Sequence, residues 1–329
     1  MPSQSPFSAG LVARKVGIGI LVVGIALGLI TAATVFGSSH QPSLQKTSEW
    51  HFAPPMPHRR SYTASAQIGG KVYVAAGMVG NTGRPLNIFE RFDPAKGEWM
   101  SLPFVPAPFS AAAGAALGGK MYVIGGNGDP KDKAIDGRQV FAYDVATNKW
   151  SRKASLPKPR TNLAAVALGG KIYALGGLDP NHATDSVYVY DPKTNRWSIG
   201  PTLPEKLHAL AAVVYQGGIW VIGGQDAAGQ AVRRVWIYQP RAHSWHKGPS
   251  MPFPMETAGA AVADGELHVV LESKYLIYDP NARKWRRGPS LETPRHALAV
   301  YAVNGTLYAM GGCVTPQLED SSVVEKLAL

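Results

Sequence analysis

The chain has 329 residues, a formal net charge of +11 and a single cysteine, Cys313. One cysteine excludes an internal disulfide framework, and 45% hydrophobic against 17% charged residues excludes a disordered, highly charged polymer. A chain of this length can hold a core by packing alone.

The first element is apolar. Residues 16–36 carry no charge and follow directly on Arg14 and Lys15. In a helix they would reach about 31 Å, against a bilayer core of roughly 30 Å. The pattern predicts a transmembrane anchor or uncleaved signal, with residues 1–15 cytoplasmic by the positive-inside rule. Everything after it would then lie in a periplasm or extracellular space. The alternative is secretion after signal cleavage, although the apolar run is long for a signal peptide and residues 31–33 and 37–39 are marginal cleavage sites. Residues 37–47 read as a flexible linker.

From residue 48 to 329 the chain repeats. Trp50, Trp99, Trp150, Trp197, Trp245 and Trp285 are spaced by 49, 51, 47, 48 and 40 residues. Gly69-Gly70, Gly118-Gly119, Gly169-Gly170 and Gly217-Gly218 keep the same beat, weakening to Asp264-Gly265 and Asn304-Gly305. Such a period signals an array of one supersecondary unit. The copy from Pro159 to Pro204 shows it best: a small apolar run, a glycine-pair turn, residues 172–175, a polar loop, the alternating residues 186–190, then a turn and Trp197. Glycine pairs between apolar runs predict two-residue hairpins, because these turns need positive φ. Each copy therefore predicts a four-stranded antiparallel meander, strands a to d, that buries its faces only by stacking on other copies.

The pattern resembles the kelch repeat, in which a double glycine after strand b precedes a tyrosine and then a tryptophan. Gly125-Gly126 with Tyr143 and Trp150, Gly176-Gly177 with Tyr190 and Trp197, and Gly223-Gly224 with Tyr238 and Trp245 carry the resemblance. Ala76-Gly77 with Phe92 and Trp99 is close, whereas Leu271-Glu272 replaces the glycine pair of the fifth copy. The resemblance implies an all-β propeller, here in an exported or membrane-anchored protein of bacterial type. The sixth copy has Gly311-Gly312 but no tryptophan strand after it. Residues 49–57, around Trp50, read as that missing strand d, so the expectation is a six-bladed ring closed by an N-terminal strand and preceded by one transmembrane helix.

Three positive charges lie before residue 47, leaving +8 on the repeats. The basic residues are spread over turns, as in Arg233-Arg234 and Arg283-Lys284, rather than set in a stripe with interleaved aromatics. This argues against nucleic acid and for a protein or an anionic glycan or sugar acid. Counting nine positions back from each turn's first residue gives Arg60, Phe109, Arg160, His208, Met255 and Arg295; the next row is Ser61, Ser110, Thr161, Ala209, Glu256 and His296. Both rows fall at the start of strand a, at the predicted channel mouth. Arg60, Arg160, His208, Glu256, Arg295 and His296 are accordingly the candidate ligand-binding residues, with the arginines suited to carboxylates.

Most kelch propellers are interaction platforms, so the resemblance implies a protein- or glycan-binding module rather than an enzyme. Exported bacterial sialic acid mutarotases are also six-bladed kelch proteins, which makes a sugar-acid mutarotase or epimerase the alternative. Glu256 with a histidine would then move protons beside an arginine clamp. No catalytic residue is assigned, and neither a metal nor another cofactor is expected. In particular, galactose oxidase needs a Tyr–Cys crosslink beside copper, and Cys313 has no tyrosine near it in sequence.

Overall fold

The computed structural model describes residues 49–80, 83–129, 135–315, 317 and 319–329. The predicted N-terminal segment, membrane span and linker lie outside these residues. Among the described residues no helix is long and apolar enough to cross a membrane.

The repeats fold as antiparallel four-stranded sheets, six among the described residues. Sheet 1 comprises Ala64–Ile68, Lys71–Ala75, Phe89–Asp93 and Glu98–Ser101 as strands a to d; sheet 2 comprises Ala113–Leu117, Lys120–Ile124, Val140–Asp144 and Lys149–Arg152. Sheet 3 is Ala164–Leu168, Lys171–Leu175, Val187–Asp191 and Arg196–Ile199, and sheet 4 is Ala211–Tyr215, Gly218–Ile222, Val235–Gln239 and Ser244–Lys247. Sheet 5 is Gly259–Ala263, Glu266–Leu271, Lys274–Asp279 and Lys284–Arg287. Sheet 6 takes strands a to c from Ala299–Val303, Thr306–Met310 and Val324–Ala328, and its strand d is the N-terminal His51–Ala53, with His51 opposite Lys326.

Both faces of each sheet are apolar, so the core is a set of wedges between neighbouring sheets. Strand-b and strand-c side chains of one sheet meet those of the next, as Tyr73 and Phe89 meet Met121 and Tyr143. The six tryptophans of the repeat share one role. Each indole N–H donates to a backbone carbonyl of the preceding sheet or the segment just after it, from Trp99 to Pro54 round to Trp50 to Pro289, at 2.8–3.0 Å. The residue type fits because an indole combines a large apolar body with one donor that needs a partner when buried.

A second circuit runs inside. Just before each strand a sits one residue in the left-handed region: Tyr62, Ala111, Asn162, Ala209, Thr257 and Ala297, all at φ 50–54°. The N–H of each donates to the carbonyl of another: Ala111 to Tyr62, Asn162 to Ala111, Ala209 to Asn162, Thr257 to Ala209, Ala297 to Thr257, and Tyr62 back to Ala297, at 2.8–3.2 Å. The chain of donors returns to its start after six bonds. The glycine pairs that follow strand b are needed for a related reason. A Cβ on Gly223 would lie 2.1 Å from the Met255 carbonyl of the next sheet.

Closure through the N-terminal strand makes Trp50 a core residue, 2% exposed. Trp50→Ala should lower stability by about 3–5 kcal/mol. A truncation beginning at residue 58 should abolish the cooperative transition in urea denaturation followed by circular dichroism; a cooperative transition of undiminished slope in that truncation would contradict the closure.

Candidate functional site

The turn between strands a and b fixes where each copy starts, and in the fourth copy that turn is Gln216-Gly217, at φ 49° and 72°. Gly218 is already the first residue of strand b. The glycine pair is therefore displaced by one, and Leu207 rather than His208 belongs to the row of Arg60, Arg160 and Arg295. His208 moves into the next row. The residues immediately preceding the left-handed positions are then Ser61, Ser110, Thr161, His208, Glu256 and His296.

The structure separates the candidates into two groups. Arg60, Arg160 and Arg295 do not reach the mouth; they are among the largest fully buried side chains described. Arg60 meets Glu90 at 2.7 Å and donates to the Val74 carbonyl. Arg295 meets Glu325 at 2.6 Å and donates to the Gly311, Ala309 and Thr293 carbonyls. Arg160 pairs with Asp179 at 3.1 Å and bonds the Ser186 and Tyr188 hydroxyls. Their own carbonyls accept the N–H groups of Gly312, Gly126 and Glu272 from the preceding sheet. These arginines thus pin one sheet to the next. Burial lowers the Arg60 and Arg295 pKa values from the ordinary arginine value, while Glu90 and Glu325 oppose that shift.

His208, Glu256 and His296 come together, from the starts of sheets 4, 5 and 6, in a cavity of about 620 Å³. Its lining includes the backbone circuit at Tyr62, Ala111, Asn162, Ala209 and Thr257, and its wall includes Asn127, Gln225 and Lys274. No arginine is among the described residues lining it. Glu256 Oε2 and His208 Nδ1 are buried atoms without a hydrogen-bond partner. His296 Nδ1 lies 3.2 Å from the Thr315 hydroxyl, and its ring stands edge-on to Tyr62. Asp320 is held nearby by the Ser61 hydroxyl and the Gly80 N–H. In sheet 5 the loop between strands b and c is only the turn at Glu272, whose carboxylate pairs with Lys274 at 3.5 Å, so both side chains reach the rim. Thr257 is a β-branched residue at φ 51°, a strained conformation of the kind that collects at functional sites.

Burial lowers the pKa of His208 from 6.5, with Glu256 and Asp226 acting the other way; burial likewise lowers that of His296 against Glu272, Glu256 and Asp320. Both rings are therefore neutral at pH 7. The Tyr62 hydroxyl is pushed up, first by burial and then by Cys313, Glu256 and Asp320. Sequence reasoning missed Tyr62, Asn162 and Thr257, which the left-handed positions mark, and it missed Gln225 and Lys274, which sit in or beside loops that do not repeat.

Two outcomes follow. Arg295→Ala should cost about 3–5 kcal/mol, because it strands Glu325 in the core, whereas replacing both by apolar residues of similar volume should cost much less; chemical denaturation of the single and double variants measures this. A histidine whose folded pKa is depressed favours the folded state above its unfolded pKa. That contribution is lost as pH falls below 6.5 towards the folded value. The urea midpoint should accordingly drop between pH 7 and pH 5, and drop less in His208→Gln/His296→Gln.

Comparison with known proteins places this geometry. The KLHDC2/KLHL20/DRC7 Kelch-repeats domain matches residues 61–270. Kelch repeat protein M-T8 of Myxoma virus (strain Lausanne) is 50% identical over 48 residues, which is 15% of this chain and 9% of that protein. Kelch-like protein 40a of Danio rerio is 42% identical over 50 residues, 15% of this chain and 8% of the other. Alpha-scruin of Limulus polyphemus is 51% identical over 39 residues, 12% and 4% respectively. The matching segments thus span less than a tenth of these curated relatives. The solved structure of YjhT superposes with a TM-score of 0.72 at 17% identity over 83% of this chain and 95% of that one, a likeness of fold. With the family match spanning well over half of its residues, and with the glycine pairs and tryptophans in the roles described, the chain belongs to the kelch-repeat family.

Proposed function

We propose that this protein is a six-bladed kelch propeller that acts as a protein-binding module, receiving a segment of its partner in the cavity of His208, Glu256 and His296. The six sheets, the six-membered backbone circuit and the tryptophan bonds support the blade number. The observation that carries the binding role is the pair of buried, unpartnered atoms Glu256 Oε2 and His208 Nδ1 at the mouth. A buried polar atom left without a partner costs about 1–3 kcal/mol, which a bound donor recovers. With the arginines in the core, the cavity suits a lysine, arginine or amide side chain. An anionic glycan or sugar acid would find a carboxylate where the clamp was expected.

The uncharged stretch of residues 16–36 supports an exported propeller tethered to a membrane. Retention of the full chain in the membrane fraction after alkaline extraction, and its release on deletion of residues 16–36, is the expected result.

One observation favours the mutarotase alternative. Glu256 lies between two neutral histidines, a set able to accept and return a proton, in a cavity of sugar size. Proton NMR of anomer exchange decides: acceleration by wild type and its loss in Glu256→Gln would establish catalysis.

For the binding role, a displayed peptide library should yield basic sequences whose affinity falls about tenfold in Glu256→Gln. Affinity should also fall between pH 7.5 and 5.5, as His208 and His296 gain positive charge. Selection of acidic peptides, or indifference to Glu256→Gln, would refute the assignment.

A further inference from the structure

Neighbouring sheets share an aromatic pair, one ring from strand b and one from strand c of the following sheet. Tyr73–Tyr143, Tyr122–Tyr190, Tyr173–Tyr238, Trp220–Tyr278 and Tyr308–Phe92 have ring centroids 5.4–6.3 Å apart. The wedge between sheets 5 and 6 breaks the pattern on both sides. His268 holds the strand-b position, opposite Ala261 as Tyr73 is opposite Ala66. Leu327 holds the strand-c position, opposite Leu307 as Phe92 is opposite Val72. Both replacements are smaller than the rings they stand for. A cavity of about 490 Å³ lies there, lined by His268, Tyr275, Ile277, Pro289 and Leu327 and also by the charged residues Asp264, Glu266, Arg286 and Arg287.

The polar content of this cavity is specific. His268 is 2% exposed, and its Nδ1 lies 2.7 Å from the Tyr275 hydroxyl. Its other nitrogen, Nε2, is buried without a hydrogen-bond partner; burial lowers the pKa of the ring, and the Ala263 backbone opposes that shift. Tyr275 is itself fixed, edge-on to Trp50 and against Gly288, where a Cβ would come within 2.2 Å of the ring. Its ring also stacks on His268, with centroids 5.9 Å apart, and so forms one wall of the cavity. A buried ring nitrogen in a wedge where five sister interfaces pair two rings defines the kind of occupant.

We propose that the wedge between sheets 5 and 6 binds a small free aromatic molecule of the phenol or indole class. Its ring takes the place of the absent aromatic side chain and its O–H or N–H pairs with His268 Nε2. The site is separate from the mouth cavity and shares no lining residue with it.

The test is titration calorimetry of the full chain with phenol, indole and toluene. Saturable binding of phenol and indole at one site per chain is expected, with toluene roughly fivefold weaker for want of the hydrogen bond. Leu327→Tyr, which restores the ring, should abolish binding. His268→Phe should bring phenol down to the level of toluene. Spectra of wild type labelled at histidine nitrogens give a readout that needs no variant: phenol should shift the His268 resonances and leave those of His208 and His296 in place. Absence of saturable binding to wild type overturns the proposal. So does a shift confined to the mouth histidines, or binding that survives Leu327→Tyr in a folded variant.

Discussion

The closed circuit of six backbone hydrogen bonds at Tyr62, Ala111, Asn162, Ala209, Thr257 and Ala297 is the constraint on which the rest of this structure depends. Each member must adopt a left-handed backbone, and non-glycine residues pay about 1–2 kcal/mol for that conformation. The circuit recovers this only when complete, since a single missing sheet would leave a donor and an acceptor unpaired at the centre. Geometry at the axis and packing at the rim are thereby coupled. The tryptophan bonds hold the wedges at the outer edge, and the circuit joins the starts of the six described strands a.

The same constraint explains which side chains can meet a ligand. Of the residues before the left-handed positions, Ser110, His208, Glu256 and His296 line the mouth cavity; the residues before those are buried, as are Arg60 and Arg160, which precede the buried Ser61 and Thr161. His208, Glu256 and His296 fall in the first class, Arg60, Arg160 and Arg295 in the second. A shift of one residue thus exchanges a cavity-lining position for a fully buried one. The buried pairs Arg60–Glu90 and Arg295–Glu325 flank sheet 6, the sheet assembled from both ends of the fold.

Much of the fold was legible in the sequence because its determinants are local and repeated. The tryptophan spacing and the glycine pairs identify four-stranded units, and the missing sixth tryptophan strand points to residues 49–57. The mouth was legible only in part. Gln216 takes the left-handed turn position that glycine holds in the first three copies, so alignment on glycines misplaces His208 by one. The burial of the arginines was hidden because their partners, Glu90, Asp179 and Glu325, come from parts of the copies with no repeated motif. The vacancy at His268 and Leu327 needs the pairing between sheets, which no single copy displays.

The strand that completes sheet 6 has a consequence for the order of events during synthesis. His51–Ala53 leaves the ribosome before the other described strands, and its partner Val324–Ala328 emerges about 270 residues later. Sheets 1 to 5 can form their own hairpins as they appear, from contacts close in sequence. The edge that His51–Ala53 must join does not yet exist. Throughout translation the nascent chain therefore carries an unpaired strand and an uncovered indole at Trp50. It is an open arc whose two ends are both able to recruit foreign strands. Completing sheet 6 joins strands about 270 residues apart, so it carries the largest loop-closure entropy of the strand pairings described.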